Sequence, residues 1–400
     1  MRIVYVTAGL PYSSGQEEFF LPEISELAER GHQLLMIPRQ KMGTASGNEA
    51  QRLLASTKAL SLFAPEIIAA HIWESSRRPL PSLRALWTVC GRGRASKRPK
   101  NLAVFPKALW LAKVAREFGA EHIHAQWMGT TASMAMVASR LTDIPWSVTA
   151  HRWDIVDNNL LEEKIRAASF VRFISKKSME LAQSMCTFDI SNKSFVLHLG
   201  VRMPEGDLAP AKGSALRTLM CPANMLPVKG HKYLLEAMAI LQKGQVECGL
   251  VLAGDGPLRK ELERTAKALG IADIVRFVGR LPHDQLLSMY QNGEVGLVVL
   301  PSVDLGGGEH EGIPISLVEA MAHGVPVAST DTGGTPELLA DGCGLLVPSG
   351  DTAALADAVT RVITDDGLRR DLAAKGRQRA AEEYAVDKVV SELERRIEAV

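Results

Sequence analysis

Two glutamates eight residues apart, Glu311 and Glu319, stand in the stretch "GGGEHEGIPISLVEAMAHGVP" at 306–326. At that spacing on one helix they would lie about two turns apart. Pro314 argues against a shared helix. Proline suits a helix's first turn, where its missing N–H has no intrahelical partner anyway. The spacing therefore predicts a helix over about 315–323, stopped at Gly324, with Glu311 in the loop before it. Free N–H groups near Gly312–Ile315 would then face an anion, because a helix N-terminus carries roughly half a positive charge. Glu319, in the second turn, is roughly 8 Å from that start, within reach of a hydroxyl-bearing group beyond a phosphate. A plainer reading competes with this one. Ser316, Glu319 and His323 also fall on one helical stripe, which could simply be solvated.

The elements that would position these groups alternate regularly. "LRTLMCPA", "CGLVLAGDG", "VRFVGR", "VGLVVLPS", "VPVAST" and "GLLVPSG" are short apolar runs, each followed by a helical pattern. Six tandem β-α units predict a doubly wound parallel sheet, whose ligands sit at the carboxyl ends of the strands. The amino-terminal half opens the same way. "RIVYVTAG" reads as a strand, and "EEFFLPEISELAERGH" as a helix with Phe20, Ile24, Leu27 and Ala28 inward. "HIHAQW", "WSVTAH", "SFVRFIS" and "SFVLHLG" read as further strands. The fold class is α/β. The predicted organisation is an amino-terminal domain over 1–200, a linker over 201–215 and a second domain over 216–380. A final helix over 381–400 is expected to return to the first domain.

The 400 residues are too many for one ordinary core. A net charge of +1 names no partner. The five cysteines are scattered without CxxC spacing, which suits a reducing compartment and argues against a structural metal. The amino terminus lacks the long apolar region of a signal peptide, and no stretch reaches the roughly 18 apolar residues of a membrane span. These features predict a cytoplasmic protein. A dinucleotide-dependent dehydrogenase would need G-x-G-x-x-G after the first strand; "TAGLPYSSG" does not supply it.

"EGIPISLVE" resembles the E-x7-E motif of the retaining GT4 glycosyltransferases of GT-B fold. So do "VKGHKYLLEA", "LVLAGDGPLRKELE", "VRFVGRLPHDQL" and "GVPVASTDTGGTPELL", in the same order and spacing. The resemblance implies two Rossmann-like domains facing across a cleft and a nucleotide-sugar donor. It implies that Glu319 bonds the donor ribose and Glu311 faces the transferred sugar. The backbone at Gly312, Ile313, Pro314 and Ile315 would hold sugar and phosphate, and Arg280 and Leu281 would border the base. Lys229 would neutralise the diphosphate, a role chemistry favours because the departing group gains negative charge. Asn224 stands where many members carry arginine, and an amide brings no charge. In the first half, Gly15 takes the place of the family's key loop glycine, beside Ser14. "TAHRWD" resembles the segment with the active-site histidine, here His151, followed by Arg152 where glycine is common. The catalytic candidates are thus His151, Glu311 and Lys229. The resemblance implies retention without a firmly identified protein nucleophile and without a metal site. "GQEEFFLPEI" and "EHEGIPISLVEAMA" look most like bacterial exopolysaccharide-building members, so a saccharide or lipid-linked acceptor is expected. A small-molecule acceptor, and a nucleotide-sugar-binding protein without turnover, are the alternatives.

Residues 77–113 hold ten Lys or Arg and no acid, with Trp87, Phe105 and Trp110 interleaved. Such a segment fits peripheral contact with an anionic membrane or another anion; a solvated loop is the alternative. No nucleic-acid motif accompanies it.

Overall fold

The computed structural model describes residues 1–12, 18–45, 47–306 and 310–400. The chain divides into two units, Met1–Gly200 with Val386–Val400, and Val201–Ala385.

The first unit is built on six parallel strands: β1 (Arg2–Thr7), β2 (Gln33–Pro38), β3 (His122–Gln126), β4 (Trp146–Ala150), β5 (Phe170–Phe173) and β6 (Ser194–Val196). They lie in the order β2-β1-β3-β4-β5-β6. The strands are buried almost throughout, as expected where helices cover both faces of a parallel sheet. The order reverses between β1 and β3. Helices Pro65–Arg77, Pro79–Leu86 and Arg98–Phe118 fill the long connection between β2 and β3.

Helix Leu21–Glu29 follows β1, but its inward face differs from the apolar pattern. Ala28 is exposed, and Glu23 is fully buried. Glu23 accepts two bonds from the buried Arg172 of β5, at 2.6 and 2.8 Å, and a third from the Gly200 N–H at 2.7 Å. A buried carboxylate is tolerated because paired donors replace its water. The final helix, Val386–Glu398, buries Val386, Val389, Val390, Leu393 and Ile397 at helical spacing and packs on helix Leu21–Glu29. Glu394 there bonds Arg30 at 3.1 Å and His32 at 2.7 Å.

The second unit has strands β7 (Thr218–Pro222), β8 (Gly249–Ala253), β9 (Val275–Gly279), β10 (Leu297–Leu300), β11 (Val327–Thr330) and β12 (Leu345–Val347). All pairings are parallel, in the order β12-β11-β10-β7-β8-β9. This is a Rossmann-type order, reversing between β7 and β10. The unit's limits differ from the predicted ones. Residues 201–215 belong to it, since Val201 is buried and its N–H bonds the Tyr384 carbonyl at 2.7 Å. The chain re-enters the first unit at Val386 rather than at 381, because Ala380 and Tyr384 are fully buried in the second unit's core.

Candidate functional site

Lys229 and Glu311 meet at the reversal point of the second sheet. Lys229 follows β7 and ends the short turn Pro227–Lys229. The next residue, Gly230, has φ +65°, and a Cβ there would lie 1.8 Å from the Pro301 carbonyl oxygen. Only glycine lets the chain turn this close to the segment after β10. The Val303 N–H bonds the Val228 carbonyl at 2.9 Å, locking the two loops together. Lys229 Nζ consequently reaches Glu311 Oε2 at 2.5 Å, both side chains being largely but not fully buried. Ser302 Oγ donates to the same oxygen at 3.3 Å.

A second backbone approach seats the Glu311 loop. Gly333 has φ +58°, and a Cβ there would sit 1.7 Å from the Glu311 carbonyl oxygen. The Gly334 N–H bonds the Gly312 carbonyl at 3.2 Å. The "GG" of "TDTGGTPE" therefore closes over Glu311 and Gly312. The "AGDG" turn has an equally structural reason. It pairs with the 223–225 stretch through Ala223 N–H to Ala253 O at 3.1 Å and Met225 N–H to Asp255 O at 2.9 Å.

The helix after this loop runs Ile315–Ala322, with Gly324 at φ +69° beyond its end. Pro314 is the cap residue rather than the first helical one. Its carbonyl accepts from Leu317 at 3.0 Å. Among the described residues, the N–H groups of Gly312, Ile313, Ile315 and Ser316 donate to no acceptor. These amides and Lys229 are the cationic features beside Glu311.

Glu319 does not lie on a solvated stripe. Its side chain is 16% exposed, and Oε1 lies 2.7 Å from His283 Nε2. His323, the next residue on that stripe, is buried, and its Nδ1 lies 2.7 Å from the Glu319 carbonyl. His283 begins helix His283–Gln291, directly after the loop holding Arg280 and Leu281. The structure thus brings Glu319 beside the "VGRLPH" segment. Arg280 is exposed and Leu281 half-buried. Asn224 is exposed after β7, and the Leu226 N–H bonds its carbonyl at 2.8 Å.

His151 belongs to the first unit, following β4 and capping helix Arg152–Asp157. It is 4% exposed, its ring 4.3 Å from that of Trp127 and 4.9 Å from that of Phe20. Its N–H donates to Asp154 Oδ1 at 2.9 Å. Burial, with a smaller contribution from the Arg172 charge, pushes its pKa down to about 3, so the ring is neutral at ordinary pH. Among the described residues, Nε2 has no hydrogen-bond partner. Gly15 and Ser14 lie outside the described residues.

Three further residues escaped the sequence reading. His283 and Ser302 sit within quoted motifs, "GRLPHDQL" and "VVLPS", but a single histidine or serine carries no spacing signal. Trp127 has φ +73°, rare for a bulky residue; nothing in the sequence marks that conformation.

Residues 211–379 match the family described as Glycosyl transferases group 1. Residues 14–182 match the Glycosyl transferase 4-like domain. An alpha-D-kanosaminyltransferase of Streptomyces kanamyceticus is 36% identical over 166 residues, 41% of this chain and 41% of that relative. The match thus spans under half of that relative's length. A GDP-mannose-dependent alpha-(1-6)-phosphatidylinositol monomannoside mannosyltransferase of Mycobacterium tuberculosis is 27% identical over 299 residues, 70% of this chain and 77% of that one. The crystal structure of Anabaena Alr3699/HepE in complex with UDP superposes over 100% of both chains with a TM-score of 0.73 at 17% identity. With two glycosyltransferase domains matched in order on two Rossmann-like sheets, the chain belongs to the GT4-type glycosyltransferases of GT-B fold.

Proposed function

We propose that this protein transfers a hexose-type sugar, with retention, from a nucleotide-sugar donor to a saccharide or lipid-linked acceptor in surface polysaccharide assembly. One observation carries the reading: Lys229, Glu311 and the unpaired amides of Gly312–Ser316 converge at the reversal point of the second sheet. Ligands of such sheets bind at that point. The relatives support it too, one being GDP-mannose-dependent with a phosphatidylinositol-based name, another solved with UDP.

Each residue then has a chemical task. The ammonium of Lys229 has three N–H donors. One meets Glu311, and the others are available to the donor diphosphate. As the bond from the anomeric carbon to the phosphate oxygen breaks, negative charge builds on the leaving group. Lys229 and the amides before helix Ile315–Ala322 stabilise it. A bond forms from the acceptor oxygen to the same face of that carbon, and the acceptor proton passes to the leaving phosphate. Glu311 holds Lys229 and faces the sugar. Glu319 accepts from a ribose hydroxyl, with His283 fixing the carboxylate. Arg280 and Leu281 border the base. No metal is invoked, since Lys229 supplies the fixed positive charge. The five unpaired cysteines support a cytoplasmic setting.

The test is turnover. The protein is incubated with a panel of nucleotide sugars and membrane or saccharide acceptors, with and without EDTA. Released nucleoside diphosphate and the anomeric configuration of the product are read. Turnover insensitive to EDTA with a retained anomer is expected. Binding without release of nucleoside diphosphate would establish the non-catalytic alternative, and an inverted product would sink the proposed chemistry.

A further inference from the structure

Helix Pro79–Leu86 is inside out. Its inward face is Ser82 and Ala85, continuing into Thr88 and Val89, all buried. Its outward face is Leu80, Leu83 and Trp87, respectively 65%, 63% and 59% exposed. These fall at i, i+3 and i+7, one helical stripe. An ordinary surface helix turns its largest apolar groups inward. This one spends serine and threonine on the core and offers leucine and tryptophan to water. The preceding helix, Pro65–Arg77, likewise exposes Ile68 and Ile72. Leu102, early in helix Arg98–Phe118, is 56% exposed. A run of large exposed apolar groups on consecutive elements marks an interaction surface.

The charges beside it identify the partner. Arg77, Arg84, Arg92, Arg94, Arg98 and Lys100 are exposed. Among the described residues, Arg84, Arg92, Arg94, Arg98 and Lys100 have no carboxylate within ion-pair distance. Arg92 lies over the Trp87 ring at 4.7 Å, so cation and aromatic are presented together. The acids of residues 63–102 are Glu66 and Glu74, and Glu74 is buried against Arg116. Apolar side chains set among unpaired arginines suit an interface that is anionic at its surface and apolar just beneath.

We propose that helix Pro79–Leu86, with Trp87 and the arginines of 84–98, docks this protein on an anionic lipid bilayer, inserting Leu80, Leu83 and Trp87 below the headgroups. No helix among the described residues is long and apolar enough to cross a membrane. The surface is not the predicted 77–113 segment as a whole. Phe105 and Trp110 of that segment are buried in the first unit's core, whereas Leu80, Leu83 and Leu102 join Trp87 outside. The proposal does not rest on the assigned reaction, and its test needs no substrate.

Purified protein is co-sedimented with phosphatidylcholine vesicles, with and without phosphatidylglycerol, at low and high salt. Binding to the phosphatidylglycerol vesicles, weakened by salt, is expected. The triple variant Leu80→Ser, Leu83→Ser, Trp87→Ser is expected to lower the partition coefficient more than about tenfold, as is Arg84→Glu, Arg92→Glu, Arg94→Glu. Leu346→Ser, an exposed apolar residue of the second unit, should leave it unchanged. Leu80, Leu83, Trp87, Arg84, Arg92 and Arg94 are all exposed, so circular dichroism and thermal melting of both variants should match the wild type. No binding of the wild type to phosphatidylglycerol vesicles, or equal binding by the serine variant, would overturn the proposal. So would a wild-type dimer that the serine variant dissociates while vesicle binding is absent, since the face would then serve a second copy of this chain.

Discussion

The two sheets reverse their strand order in comparable places but fill those places differently. In the second unit the reversal between β7 and β10 gathers Lys229, Glu311 and unpaired amides, polar groups left partly open. In the first unit the polar groups nearest the carboxyl ends are closed in. Glu23 and Arg172 are completely buried and satisfy one another. His151 is packed among Trp127 and Phe20. Both units contain a glutamate paired with a cation; one pair is sealed in the core, and the other is the proposed donor contact. Openness separates them: a sealed pair can only hold the fold, while a half-open one can exchange its partner for a ligand.

That contrast is open to attack by substitution. The largest effect should come from Glu23→Ala, which strands the Arg172 charge in the core and should cost about 3–5 kcal/mol of stability by chemical denaturation. Glu311→Ala, at the partly open pair, should cost less, about 1–3 kcal/mol, while transfer collapses. Equal stability losses at the two sites would erase the distinction. Next, Lys229→Ala should lower the transfer rate about 10²–10³-fold with the melting temperature little changed. A smaller effect is expected at Glu319→Ala, a rise of about 10- to 100-fold in donor KM, the value of a charge-assisted hydrogen bond. A loss confined to kcat would instead place Glu319 near the reacting carbon.

Acid should then expose how the buried histidines are held. Burial pushes His122 and His151 down to about 3 and His231 to about 4. Folded-state values below the unfolded value near 6.5 mean that stability is complete above that pH. It is lost as pH falls through 6.5 towards 4, by about 1.4 kcal/mol per unit for each histidine. A melting temperature that holds flat down to pH 5 would contradict this. The mildest change is Asn224→Arg. Because Asn224 is exposed, a restored cation should tighten donor binding only about two- to fivefold.

The second unit was the more legible half in sequence. Its strands and helices follow clean periodicities, and Pro314 separated the two glutamates before any coordinates. The first unit was harder for physical reasons. Its inward positions include Glu23, whose burial depends on Arg172 from a strand 149 residues away. Periodicity cannot report such a partner. The same holds for Glu319, whose departure from a solvated stripe is set by His283 and by the burial of His323. Of the aromatics read as one surface, Trp87 is exposed whereas Phe105 and Trp110 are core, since composition gives no orientation.

The central claim is that the second unit grips a nucleoside diphosphate-sugar between Lys229 and Glu319. Isothermal titration of a nucleotide-sugar panel into wild type, Lys229→Ala and Glu319→Ala tests it most directly. At least one nucleotide sugar should bind the wild type, and each variant should bind that ligand at least about tenfold more weakly. If no nucleotide sugar binds, or if both variants bind as the wild type does, the assignment of this site is wrong.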